Sequence, residues 1–170
     1  AMLLLTGIVN SVNLTDGIDG LAASITLIIG AFFSCAGFLN GLAEPDGGLT
    51  LLGALLMGGC GGFLVYNFHP ARVFMGDTGS LFLGAMVVGG AFMMKNPLLV
   101  IVYGAWYILE TASVILQVGY FKLTHGKRLL KMAPIHHHFE KCGWSENRIV
   151  FTASIVTAIV SVVALICGRG

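Results

Sequence analysis

From Gly20 to Leu42 the chain runs 23 residues without a charged side chain. As an α-helix rising about 1.5 Å per residue, this run is roughly 35 Å long, enough to cross the ~30 Å hydrocarbon core of a bilayer. No other feature limits the fold as strongly, because only a helix or a closed barrel satisfies its own backbone hydrogen bonds in lipid. Four further apolar runs follow, at about 49–68, 79–94, 97–121 and 149–168, and the leading segment AMLLLTGIVN reads as the last turns of a preceding helix. The expected fold is therefore all-α: a polytopic integral membrane helical bundle of five full spans plus the end of an earlier helix. Only 10% of residues are charged, against about 25% in an average soluble domain. That scarcity excludes a soluble globular domain, and the 56% hydrophobic content excludes a disordered chain.

The connections carry the remaining polarity. Glu44-Pro45-Asp46-Gly47-Gly48 and Lys95-Asn96-Pro97 have turn chemistry, and glycines within the runs (Gly53, Gly58, Gly59, Gly61, Gly62, Gly84, Gly89, Gly90) are expected to let helices approach closely. With five crossings, segments 10–20, 67–79 and 122–148 share one side. That side holds seven of the nine basic residues: Arg72, Lys122, Lys127, Arg128, Lys131, Lys141 and Arg148. The positive-inside rule makes these the cytoplasmic loops. Nine basic against eight acidic residues give no reason to expect a nucleic-acid partner. Cys35, Cys60, Cys142 and Cys167 lie far apart and read as packing thiols, not as a zinc site or disulfide frame. The N-terminus has neither the basic region nor the cleavage site of a signal peptide.

Three polar clusters fall on the same side. In Asn10-Ser-Val-Asn13-Leu-Thr-Asp16-Gly-Ile-Asp19-Gly20 the amides and the carboxylates are each three apart, so each pair can share a helical face. A capped helix start with Asp19 as N-cap explains one of these groups, but not four at a membrane edge. The second cluster, Asn67 to Ser80, places Asp77 between glycines, where an aspartate can serve as a metal ligand beside phosphate-binding N–H groups; taken alone, it reads first as an ordinary helix cap. Phe74 in the same cluster also suits an interfacial anchor. The third, Ala133-Pro134-Ile135-His136-His137-His138-Phe139-Glu140, sits near Lys127, Arg128 and Lys131 and reads more as an anion-binding surface than as a plain solvated loop. Glu110 stands apart, about ten residues from either end of its apolar run. An intramembrane acid is a functional candidate, but Thr111, Ser113 and Gln117 make a buried structural hydrogen bond an equal reading, so Glu110 stays outside the expected catalytic set.

The strings NSVNLTDGIDGLA, FMGDTGSLFLG and MAPIHHHFEKCGW resemble the bacterial phospho-N-acetylmuramoyl-pentapeptide transferases, within the polyprenyl-phosphate N-acetylhexosamine-1-phosphate transferase superfamily. The triple histidine after Ala-Pro-Ile is the most discriminating string, and the resemblance covers essentially the whole chain. It implies that residues 1–170 form the C-terminal half of a ten-helix membrane transferase, the family's Asp-Asp pair lying in the other half. It implies a Mg²⁺-dependent transfer of phospho-MurNAc-pentapeptide from UDP-MurNAc-pentapeptide to undecaprenyl phosphate, giving lipid I and UMP. By string position, Asp77 would be the metal ligand and Asp16, Asp19, His136, His137 and His138 would join it in the catalytic set. Asn10, Asn13, Asn67 and Phe74 would bind substrate, with Phe74 stacking on uracil. The resemblance further implies a homodimer in the bacterial cytoplasmic membrane, embedded in lipid, with the site facing the cytoplasm. The alternatives are a related sugar-phosphate transferase using another UDP-sugar, a non-catalytic fragment, and a transporter working through Glu110.

Overall fold

The computed structural model describes residues 1–41 and 47–167, and among them every regular element is a helix. The elements are α1 (Met2–Thr15), α2 (Leu21–Gly41), α3 (Gly48–Asn67), α4 (Gly76–Met93), a 3₁₀ turn (Pro97–Leu99), α5 (Val100–Tyr103), α6 (Ala105–Leu123), α7 (Ile135–Lys141) and α8 (Glu146–Cys167). Four of them, α2, α3, α4 and α8, are each long and apolar enough to cross a membrane, and α5 with α6 makes a fifth if the bent pair is one span. Much of the turn expected at Glu44–Gly48, the end of the first run at Leu42, and Gly168 and Arg169 lie outside the described residues.

Helix α2 is the core of the bundle. Leu21, Ala22, Ala23, Ile25, Ile29 and Phe33 on it are fully buried, as expected of a helix apolar all round. It packs against α3 at backbone distance: a Cβ on Gly53 would lie 2.4 Å from both Gly30 O and Ser34 N. The same device joins α1 to α4, where a Cβ on Gly84 would lie 2.8 Å from Val9 Cα. Among the described residues, Gly58, Gly59, Gly62 and Gly89 have nothing within 4 Å of a Cβ, so they carry none of the helix contacts within this chain. These glycines lie on outward faces, beside exposed side chains such as Leu55 and Phe92.

Two further expectations are corrected. The run Pro97–Phe121 is not one straight helix, because it bends by 77° at Gly104, between α5 and α6. Tyr103 anchors the bend, its ring packed against Phe32 at 4.8 Å and Phe33 at 5.4 Å, while Tyr107 bonds Thr26 at 2.7 Å in the core. The break moves Glu110 from mid-span to the second turn of α6. In addition, segment 122–148 is not simply a loop. Gln117 on α6 accepts from Leu129 N–H at 3.1 Å and Leu130 N–H at 2.8 Å, folding the strand of chain back so that α7, with all three histidines, lies along α6. Phe139 stacks on Trp144 with centroids 4.9 Å apart, and Arg148 caps the same indole at 4.0 Å, which locks α7 to the start of α8.

Candidate active site

The three polar clusters meet at one end of the bundle. Asn13, on the last turn of α1, donates to Asp77 Oδ1 at 3.1 Å and Ser80 Oγ at 2.9 Å, tying α1 to the first turn of α4. Beyond Asn13 the helix ends at Asp16, whose backbone N–H bonds Asn13 O and whose ψ of 48° leaves the helical region. The next four residues form a turn rather than a helix, since Asp-Gly steps favour turn geometry. Asn67 braces this turn from α3: its Oδ1 accepts from Gly20 N–H at 3.1 Å and its Nδ2 donates to Val73 O at 2.9 Å. Asn67 is buried, and both ends of its amide are engaged by backbone.

These elements enclose a pocket of about 250 Å³ lined by Asn13, Asp16, Asp19, Asn67, Phe74 and Asp77, with glycines 17 and 76 between them. Phe74 is 74% exposed at its rim, and Asp77 is exposed as well. Burial, and then the Asp77 carboxylate across the pocket, hold the Asp16 carboxyl above its ordinary value. Asp19 is tied down at the other side: its Oδ2 accepts from Ala71 N–H at 2.9 Å and pairs with His69 Nδ1 at 3.0 Å. Glu146 joins this group, its Oε2 lying 3.3 Å from His69 Nδ1 and accepting from Asp19 N–H at 3.3 Å.

The histidines divide. The His136 ring is fully buried against Gly17, and a Cβ at position 17 would lie 2.3 Å from its Nε2. On its other side Nδ1 lies 3.0 Å from Glu110 Oε2. His137 is half-buried, packed at a tilt on His136 with centroids 4.2 Å apart and bonded to Glu140. His138 Nδ1 accepts from Lys131 N–H at 3.1 Å, which holds the basic segment in place. Lys127, Arg128 and Lys131 of this segment are exposed. Asn10 does not join the pocket, because its amide donates back to Thr6 O at 2.7 Å on an exposed face of α1.

Sequence reasoning missed Glu146 and left Glu110 out. An acid in an apolar run was the available signal for Glu110, but its partner is 26 residues away. Carboxylate oxygens are hard donors of the kind Mg²⁺ takes, usually one or two with several waters. Asp77 and Asp16 line the same pocket, and this donor set fits such an ion.

Residues 1–95, which include Asp16, Asp19 and Asp77, match the model of the family described as Glycosyl transferase family 4. The chain is 52% identical over 167 residues to a phospho-N-acetylmuramoyl-pentapeptide-transferase of Carboxydothermus hydrogenoformans, covering 98% of this chain and 49% of the relative. Proteins of the same name from Moorella thermoacetica and Clostridioides difficile are 55% and 48% identical over 150 and 166 residues, covering 88% and 97% of this chain and 46% and 50% of the relatives. The chain thus spans about half the length of the curated relatives it matches. With its family-model match and these relatives, the chain belongs to glycosyl transferase family 4.

Proposed function

We propose that the full-length protein transfers phospho-MurNAc-pentapeptide from UDP-MurNAc-pentapeptide to undecaprenyl phosphate, giving lipid I and UMP for peptidoglycan synthesis. The names of the relatives support this reading. The observation that carries it is the pocket in which Asn13, Asp16, Phe74 and Asp77 meet at one end of helices apolar enough to cross a membrane. A polyprenyl acceptor needs such a place, where its tail stays in lipid while its phosphate meets a water-soluble nucleotide. The positive-inside rule puts this end in the cytoplasm, and we propose a homodimer in the bacterial cytoplasmic membrane.

In the reaction an oxygen of undecaprenyl phosphate attacks the β-phosphorus of the donor. The bond to the bridging oxygen breaks, and UMP leaves with that oxygen. Phe74, exposed at the rim, is free to stack on the uracil face. Asn13, fixed between Asp77 and Ser80, keeps the α4 terminus against α1, and Asn67 keeps the Phe74 segment against the Asp16–Asp19 turn. His138, whose Nδ1 accepts from Lys131 N–H, has its Nε2–H to give to a phosphate or sugar oxygen, while neutral His137, with Nδ1–H on Glu140, offers Nε2 as an acceptor to a sugar hydroxyl; Lys127, Arg128 and Lys131 of the same segment are exposed and add positive charge. Mg²⁺ is the proposed cofactor, held by Asp77 with Asp16 facing it; when bound it supplies neutralisation of the charge that gathers on the two phosphates.

The test is UMP release by purified full-length protein in detergent with both substrates. Asp77→Asn should lower turnover by about 10²–10³-fold, the scale of losing one electrostatic stabiliser. Near-normal turnover by a folded Asp77→Asn protein would refute the metal assignment, and preference for UDP-GlcNAc in donor competition would replace the substrate. The transporter alternative predicts flux in proteoliposomes that depends on Glu110 and ignores Asp16 and Asp77, and the gathering of the polar residues at one end of the bundle speaks against it, since transport sites lie near the midplane.

A further inference from the structure

Behind the pocket lies a buried polar chain that joins three elements. Glu110 on α6 and His136 on α7 are both fully buried and meet at 3.0 Å. Trp106 Nε1–H donates to Glu110 Oε1 at 3.0 Å, and the His136 backbone N–H donates to Oε2 at 3.4 Å. A carboxylate only accepts, so His136 meets it with Nδ1–H. In a neutral imidazole the hydrogen bond made by one ring nitrogen sets the state of the other, and Nε2 then keeps its lone pair. Among the described residues that nitrogen is buried without a hydrogen-bond partner and rests on Gly17, between Asp16 and Asp19 of the pocket. A buried polar atom left unpaired in this way calls for a reason.

We infer that Glu110 is a positioning residue for the pocket: it fixes the ring of His136 and the placement of its hydrogen, and through that ring sets the turn that carries Asp16 and Asp19. The kinetic part of this inference rests on the pocket being the transfer site. The arrangement depends on two acceptors at position 110. A glutamine of the same size offers one oxygen and one NH₂. If its oxygen serves Trp106, the NH₂ faces Nδ1, which must then accept, and the hydrogen moves to Nε2 against Gly17. If the oxygen serves His136 instead, two donors confront each other at Trp106. Either way the strut is disturbed without a change in volume. An aspartate keeps both acceptors and is shorter by one methylene.

Two measurements on the full-length protein test this. In ¹⁵N NMR of histidine-labelled protein, with His136 assigned by its loss in His136→Gln, Nδ1 should be protonated and Nε2 unprotonated. The reverse pattern, with hydrogen on Nε2, overturns the inference. In UMP-release kinetics, Glu110→Gln should lower kcat by about tenfold or more while KM for the nucleotide changes by less than about threefold, the mark of a group acting on the transition state. Glu110→Asp should recover part of that loss. Wild-type kcat in Glu110→Gln, or an equal loss in both variants, also overturns it. The NMR measurement needs no turnover. The expected ¹⁵N pattern in a protein that releases no UMP would therefore refute the transfer reading and retain the strut.

Discussion

A methyl group at position 17 would lie 2.3 Å from His136 Nε2 and 2.8 Å from Cε1, about 1 Å inside ordinary contact. Gly17 is not among the residues with positive φ, so Gly17→Ala adds this clash and no backbone strain. The ring cannot easily retreat. It is fully buried, and its Nδ1 lies 3.0 Å from Glu110; an ångström of withdrawal toward or past that carboxylate leaves hydrogen-bond geometry. Overpacking of this kind costs about 1–3 kcal/mol, and we expect a value near 2 kcal/mol because the ring is held on both sides. The assay is a double-mutant cycle in full-length protein, with reversible unfolding in mixed micelles for wild type, Gly17→Ala, His136→Ala and the pair. With the imidazole gone the added methyl has room, so the coupling should recover most of the penalty, about 2 kcal/mol. An equal cost of Gly17→Ala in both backgrounds would show that the ring does not sit on the turn.

The same unfolding assay tests two other contacts. Asn67→Asp keeps the acceptor for Gly20 N–H but sets a carboxylate oxygen against Val73 O. We expect a loss of about 1–3 kcal/mol with a raised KM for the nucleotide, as the Phe74 segment loosens. Gly53→Ala places its methyl 2.4 Å from backbone atoms of α2 and should cost about 1–3 kcal/mol. Gly62→Ala, with nothing within 4 Å, should be neutral or stabilising by up to about 1 kcal/mol; equal effects at the two positions would contradict the α2–α3 packing.

Legibility in the sequence followed the range over which each force acts. Run length and hydrophobicity are local, so helices such as Leu21–Gly41 and Glu146–Cys167 lie within a few residues of the expected runs. The polar clusters were visible for the same reason, since a charged or amide group is conspicuous where only 10% of residues are charged. The bend at Gly104 was not visible, because a glycine in an apolar run looks the same whether it kinks a helix or packs one. Nor was the helix of the histidine segment. His136, His137 and His138 are consecutive, but their environments differ entirely: one is sealed against Gly17, one bonds Glu140, and one receives Lys131 N–H.

Sequence alone determined that this chain is a bundle of apolar helices whose few polar groups gather into three segments, because the cost of placing charge in lipid is a property of each residue. It also carried the family resemblance, in short strings that do not depend on packing. Tertiary structure alone decided which of those groups meet. Asn13 reaches Asp77 across 64 residues, Asp19 reaches Glu146 across 127, and Glu110 reaches His136 across 26. The first of these closes where Gly84 lets α4 approach α1, and the last where α7 packs on α6 beyond the bend at Gly104. The pairing that results makes His136 a strut behind the pocket rather than one of three equivalent histidines in a basic loop.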